Sequence, residues 1–209
     1  MTQGCNGLPS SSDSVLCIFN PDGSSLVEVA PHDGFIEYPA WTWDGTSLLF
    51  FTDTKSLTVA SDGSDLKSRD DLIAPMPSQS PDGKWMNVER TYKYGFWLSP
   101  VGSTKQNRQW RQVVPNPDSC CQFAHWSPDS RSLAYSVGRG AGVCNQLWIV
   151  DITSTEARMV VGGASGSQKV CVASETERWS PDGSMLLFLD EGPTGDLSVP
   201  MLVRPDGSD

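Results

Sequence analysis

His125, Glu177 and Arg178 are the side chains with the most chemistry to offer, because a recurring phrase sets them at matched positions. Three residues before the phrase's Ser or Thr, its four copies carry Pro39, Pro77, Ala124 and Glu177. The next position carries Ala40, Ser78, His125 and Arg178, and just upstream lie Glu37, Gln122 and Glu175. The first two copies are bland here, whereas the last two place an imidazole, a carboxylate and a guanidinium at one level. An arginine suits a carboxylate or phosphate, and a histidine suits a proton carrier. The candidate ligand-binding set is therefore His125, Glu177, Arg178, Gln122 and Glu37. The competing reading is a wet, polar wall with no ligand.

The elements that position these residues are written in the phrase itself. Trp126-Ser127-Pro128-Asp129-Ser130 runs into Leu133-Ala134-Tyr135, and Trp179-Ser180-Pro181-Asp182-Gly183 runs into Leu186-Leu187-Phe188. Two divergent copies are Trp41-Thr42-Trp43-Asp44-Gly45 before Leu48-Leu49-Phe50, and Gln79-Ser80-Pro81-Asp82-Gly83 before Trp85-Met86. Proline presets a turn corner, aspartate bonds back to nearby amides, and glycine accepts a positive φ. The short apolar run that follows suits a buried strand, and the Trp supplies bulk between sheets. Each copy reads as an antiparallel hairpin.

A second turn alternates with the first. Asn20-Pro21-Asp22-Gly23-Ser24, Ser61-Asp62-Gly63-Ser64, Ser99-Pro100-Val101-Gly102-Ser103 and Arg204-Pro205-Asp206-Gly207-Ser208 each follow a strand-like run, and Asp151-Ile152-Thr153-Ser154 is a degenerate copy. Gly23, Gly63 and Gly102 are spaced by 40 and 39 residues. Two hairpins per unit of that length describe a four-stranded propeller blade. No segment sustains a helical period, so the expected class is all-β.

These phrases, with Leu147-Trp148-Ile149-Val150-Asp151, resemble the TolB-type propeller repeat, a WD-repeat-like family. The likeness covers about Val15 to Asp209. It implies a β-propeller of four-stranded antiparallel blades, with about four and a half blades present. The expected division is a Gly/Ser-rich tail over 1–13, a half-blade over 14–34, and blades over 35–73, 74–118, 119–170 and 171–209. The half-blade at the start and the turn at Gly207 suggest part of a longer propeller of more blades. The resemblance also implies a periplasmic or extracellular setting, although residues 1–13 lack the basic start and apolar middle of a signal peptide.

Composition bounds the partners. A chain of 209 residues is long enough for a core, and its net charge of −10 argues against nucleic acid and anionic lipid. No apolar stretch approaches the roughly 20 residues that span a bilayer. The six cysteines lack the paired spacing of a zinc site, so neither metal nor cofactor is expected. Cys17 reads as a small core residue, while Cys120, Cys121, Cys144 and Cys171 fall in or beside loops. A brace from Cys144 to Cys171 is one arrangement among several.

Catalytic motifs fail on spacing. Gly163-Ala164-Ser165-Gly166 is followed by Ser167 where a nucleophile elbow needs glycine, and Gly138-Arg139-Gly140-Ala141-Gly142 precedes a strand rather than a helix. Pro115 to Phe123 and Gly162 to Glu177 read as long loops on one binding face. Tyr92, Tyr94, Trp97 and Trp110, with Lys93, Arg108 and Arg111, read as blade packing or as a contact surface. The expected function is a non-catalytic protein-binding or scaffold propeller. The alternatives are the gating propeller of a prolyl-oligopeptidase-like hydrolase and a carbohydrate- or metabolite-binding propeller.

Overall fold

A computed structural model describes residues 14–32, 36–52, 55–69, 78–89, 95–103, 109–115, 121–138, 145–162, 170–173, 176–192 and 198–208. The fold is all-β and of the β-propeller class, built from small antiparallel sheets. None of the described residues forms a helix long and apolar enough to cross a membrane. The chain divides into two units, residues 1–77 and 78–209.

Unit 1 holds a hairpin of β1 (Ser14–Ile18) and β2 (Val27–His32), then a four-stranded sheet in chain order. Its strands are β3 (Ile36–Trp41), β4 (Ser47–Thr52), β5 (Ser56–Ala60) and β6 (Lys67–Ser68). Val29, Leu48, Phe50, Leu57 and Val59 form its core, with Leu16, Ile18 and Ile36 packed against them.

Unit 2 holds three sheets. The first orders β7 (Ser78–Gln79), β8 (Trp85–Glu89), β9 (Gly95–Pro100) and β10 (Arg111–Pro115). The second orders β11 (Cys121–Trp126), β12 (Ser132–Val137), β13 (Gln146–Asp151) and β14 (Ala157–Val161). The third is β15 (Arg178–Trp179), β16 (Leu186–Asp190) and β17 (Val199–Val203). Two cores alternate with the sheets. Phe96, Leu98, Val113, Leu133 and Tyr135 fill one, with Phe96 and Tyr135 edge-to-face at 5.3 Å. Ala134, Leu147, Ile149, Leu186, Phe188 and Val203 fill the other. Alternate residues of β12 thus serve both cores, as a strand covered on both faces requires.

The phrase's polar residues are consumed by its own turn. Ser80 Oγ donates to Asp82 Oδ1 at 2.6 Å and accepts from Trp85 N at 3.0 Å, while Lys84 N donates to Asp82 Oδ1 at 3.1 Å. Ser127 and Asp129 repeat this wiring, as do Ser180 and Asp182. Thr42 and Asp44 do so in unit 1. Chiefly through the serine hydroxyl bonds, the Asp82 and Asp182 carboxyls are held down to about 2.

Several sequence expectations change. Cys17 is half-buried and disulfide-bonded rather than a free core thiol, and Cys171 is also disulfide-bonded. The Pro115–Phe123 segment is shorter as a loop than its composition suggests: Pro115 ends β10 and Cys121–Phe123 begin β11. Within the second long loop, Val172 bridges Asn145 and Asp190. Arg111 stacks over the Trp85 ring at 5.5 Å and donates to the Ile152 carbonyl, so these groups join neighbouring sheets. Tyr92, Lys93, Tyr94, Arg108, Cys120, Cys144 and residues 163–166 lie outside the described residues.

Candidate functional site

Adjacent inner strands of unit 2 build the site. β11 pairs with β12 through Gln122↔Ser136, Ala124↔Tyr135 and His125↔Ala134, with a bulge between Gln122 and Ala124. β15 pairs with β16 through Arg178↔Leu187 and Trp179↔Leu186. The two sheets are joined at this level by the Trp179 indole N–H, which donates to the His125 carbonyl at 3.1 Å. One sheet earlier, the Trp126 indole donates to the Ser78 carbonyl at 3.3 Å. The phrase Trp is therefore more than bulk: at Trp126 and Trp179 its N–H pins β11 and β15 each to the inner strand before. Sequence reading misses this bond, although the recurrence of Trp at one position is its signal.

That pinning brings His125 and Arg178 into contact. Arg178 Nη1 donates to His125 Nε2 at 2.8 Å and to the Glu177 carbonyl at 2.7 Å. An accepting Nε2 puts the ring proton on Nδ1 and leaves the imidazole neutral. Burial, and then the Arg178 charge, push the His125 pKa down to about 4. At neutral pH the ring is an acceptor that orients the guanidinium, because protonating Nε2 would set two cations against each other.

The other expected residues are placed differently. Glu177 is fully buried, while its neighbour Arg178 is exposed. Successive strand residues face opposite ways, so the two do not present one surface. Gln122 stands three residues before His125 on β11. Glu37 is exposed on β3 of unit 1, paired in register with Phe51. Among the described residues, no group of three or more His, Cys, Asp or Glu has the arrangement to hold a metal ion.

Known structures share this architecture. A putative TolB from Agrobacterium tumefaciens is 24% identical, with a TM-score of 0.73 over 96% of this chain and 69% of that chain. TolB from Acinetobacter baumannii is 19% identical, with a TM-score of 0.54 over 92% of this chain and 57% of that one. A prolyl endopeptidase is 14% identical, with a TM-score of 0.60 over 95% of this chain and 32% of that one. The chain thus spans a little over two thirds of the first of these and a little over half of the second. At such identities the likeness shows the fold alone. No family model matches the chain, and no curated protein matches it in sequence.

Proposed function

We propose that the chain is a non-catalytic β-propeller that binds a partner protein, with Arg178 as the charged contact on the surface formed by β11 and β15. The observation that carries this reading is the Arg178–His125 hydrogen bond. It turns the imidazole of the site into a positioning group for a cation, which suits recognition of an acidic side chain or chain terminus better than proton transfer. The turn carboxylates support the same reading, since Asp82, Asp129 and Asp182 are each engaged by their own turns. The TolB-like architecture is compatible with it, by analogy of fold.

A second reading is the gating propeller of a larger hydrolase, in keeping with the 32% of a prolyl endopeptidase that this chain overlays. One experiment separates the two. Wild type, Arg178→Gln and His125→Asn are immobilised and exposed to native extract, and bound protein is quantified by mass spectrometry. In parallel, each is assayed for hydrolysis of proline-containing peptides. Retention of one partner by wild type and its loss with Arg178→Gln is the expected result. Peptide turnover by the folded wild type that is abolished in His125→Asn overturns the non-catalytic reading.

A further inference from the structure

One copy of the phrase differs from the others at a cross-strand pair inside unit 2. In register across their hairpins, Ala40 pairs with Leu49, His125 with Ala134 and Arg178 with Leu187. The same register in β7–β8 sets Ser78 opposite Asn87, two neutral polar side chains. Asn87 is 3% exposed where the matched residues are apolar. Its partner on the other side, Leu98, is buried in the core that this sheet shares with β11 and β12.

Two polar atoms in this pair are left unmet by the protein. Ser78 Oγ and Asn87 Oδ1 are both buried, and among the described residues neither has a hydrogen-bond partner. Buried hydroxyl and amide groups are costly to leave so, and native folds satisfy nearly all of them. Partners in register stand on one face of a sheet, so the two atoms open onto one space. β11 packs against β7 and β8 there, and its Ala124 is the smallest side chain of the shared core. Alanine leaves room where the last copy of the phrase places the fully buried Glu177.

We propose that the space between β7–β8 and β11 binds one ordered water, which donates to Asn87 Oδ1 and accepts from Ser78 Oγ. The chemistry of the pair selects this occupant. Asn87 Oδ1 only accepts, so the occupant carries a hydrogen to donate, which a bare anion lacks. Neither side chain is charged, so nothing in the pair offsets the desolvation of a metal ion or an ammonium. A water donates and accepts at once, and bridges buried polar groups that a fold leaves unmet. Its position gives it a role. The Ser78 carbonyl accepts the Trp126 indole N–H at 3.3 Å, the bond that pins β11 beside β7. The water is a second hold on Ser78 at that junction, and β11 carries His125.

The test is a crystal structure of the 209-residue protein sharp enough to show waters, with solvent magnetic relaxation dispersion as its counterpart in solution. Expected is a single peak within about 2.7–3.2 Å of both Ser78 Oγ and Asn87 Oδ1. In solution, the count of long-lived waters should fall by one when Ser78→Ala and Asn87→Leu are combined. Ser78→Ala alone leaves the water one partner short and should lower the folding equilibrium constant roughly fivefold. The double variant removes both polar groups and should recover most of that loss, as two groups that share one water are coupled. A direct Ser78–Asn87 hydrogen bond with no peak between them, or a space without a peak, overturns the proposal. So does an unchanged count of long-lived waters in the folded double variant, or a double loss equal to the sum of the single losses. The wild-type crystal structure decides the matter by itself should the double variant misfold.

Discussion

Ser130 Oγ accepts the main-chain N–H of Asp82 at 2.9 Å, tying the phrase turn of one sheet to that of the next. Ser130 stands where the other copies have Gly45, Gly83 and Gly183, and it shares their positive φ, at 62°. The bond offsets a conformation that costs a non-glycine residue about 1–2 kcal/mol. Ser130→Ala keeps the backbone strain and loses the bond, so it is expected to destabilise by about 0.5–1.5 kcal/mol. Ser130→Gly loses the bond and relaxes the strain, and is expected to cost less than the alanine variant. Urea unfolding of the two variants beside wild type checks the order.

The indole bonds predict a contrast between tryptophans. Trp179→Phe and Trp126→Phe each strand a carbonyl of the preceding inner strand and should cost about 1 kcal/mol. Trp41→Phe should leave the stability of the protein alone within about 0.5 kcal/mol, because its N–H has no acceptor among the described residues. Thermal melts of the three variants report the difference.

His125 predicts a pH dependence. Its pKa is about 4 when folded and near 6.5 when unfolded, so the unfolded chain takes up the proton first. Stability from this group is intact above about pH 6.5, falls as the pH drops toward about 4, and is fully lost below that. His125→Asn should flatten the stability profile between those limits. Denaturant midpoints measured across that range would reveal it, and a profile unchanged from wild type would contradict the assignment.

Asp82 and Asp182 act in a lower window. With folded values of about 2 against an ordinary 3.8, they support folding above about pH 4, and that support fades as pH falls through about 2. The double variant Asp82→Asn, Asp182→Asn should be less stable than wild type at pH 6. The gap should narrow as the pH is lowered toward 2.

The cysteines make a counting prediction. Since Cys17 and Cys171 are disulfide-bonded, no more than four of the six cysteines should react with a thiol reagent in denaturant without reductant. All six should react after reduction. Mass spectrometry of the alkylated protein gives the count directly.

Much of the fold is legible without coordinates because its determinants are local. The Ser-Pro-Asp-Gly turn is wired within six residues, from Ser180 to Met185, so those six identities suffice to read a hairpin. The apolar runs that follow become β4, β12 and β16 for the same reason. The site is less legible. Strand alternation says that Glu177 and Arg178 face opposite ways, yet only the sheet packed beside them decides that the carboxylate is buried. The recurring Trp also hides two environments, since Trp179 is half-buried and donates to the His125 carbonyl while Trp41 is 49% exposed.

What this chain's sequence determines by itself is the hairpin, its turn chemistry and the alternation of two turn types, because each rests on bonds between residues a few positions apart. The tertiary structure decides what those hairpins bring together. His125 and Arg178 meet across 53 residues where the Trp179 indole bond and the core shared by the two sheets hold β15 beside β11. The acidity of His125 then follows from burial and from a cation that the linear sequence places nowhere near it. Contacts of that range depend on which faces the sheets cover, and a repeat that spells every hairpin alike leaves that choice to packing.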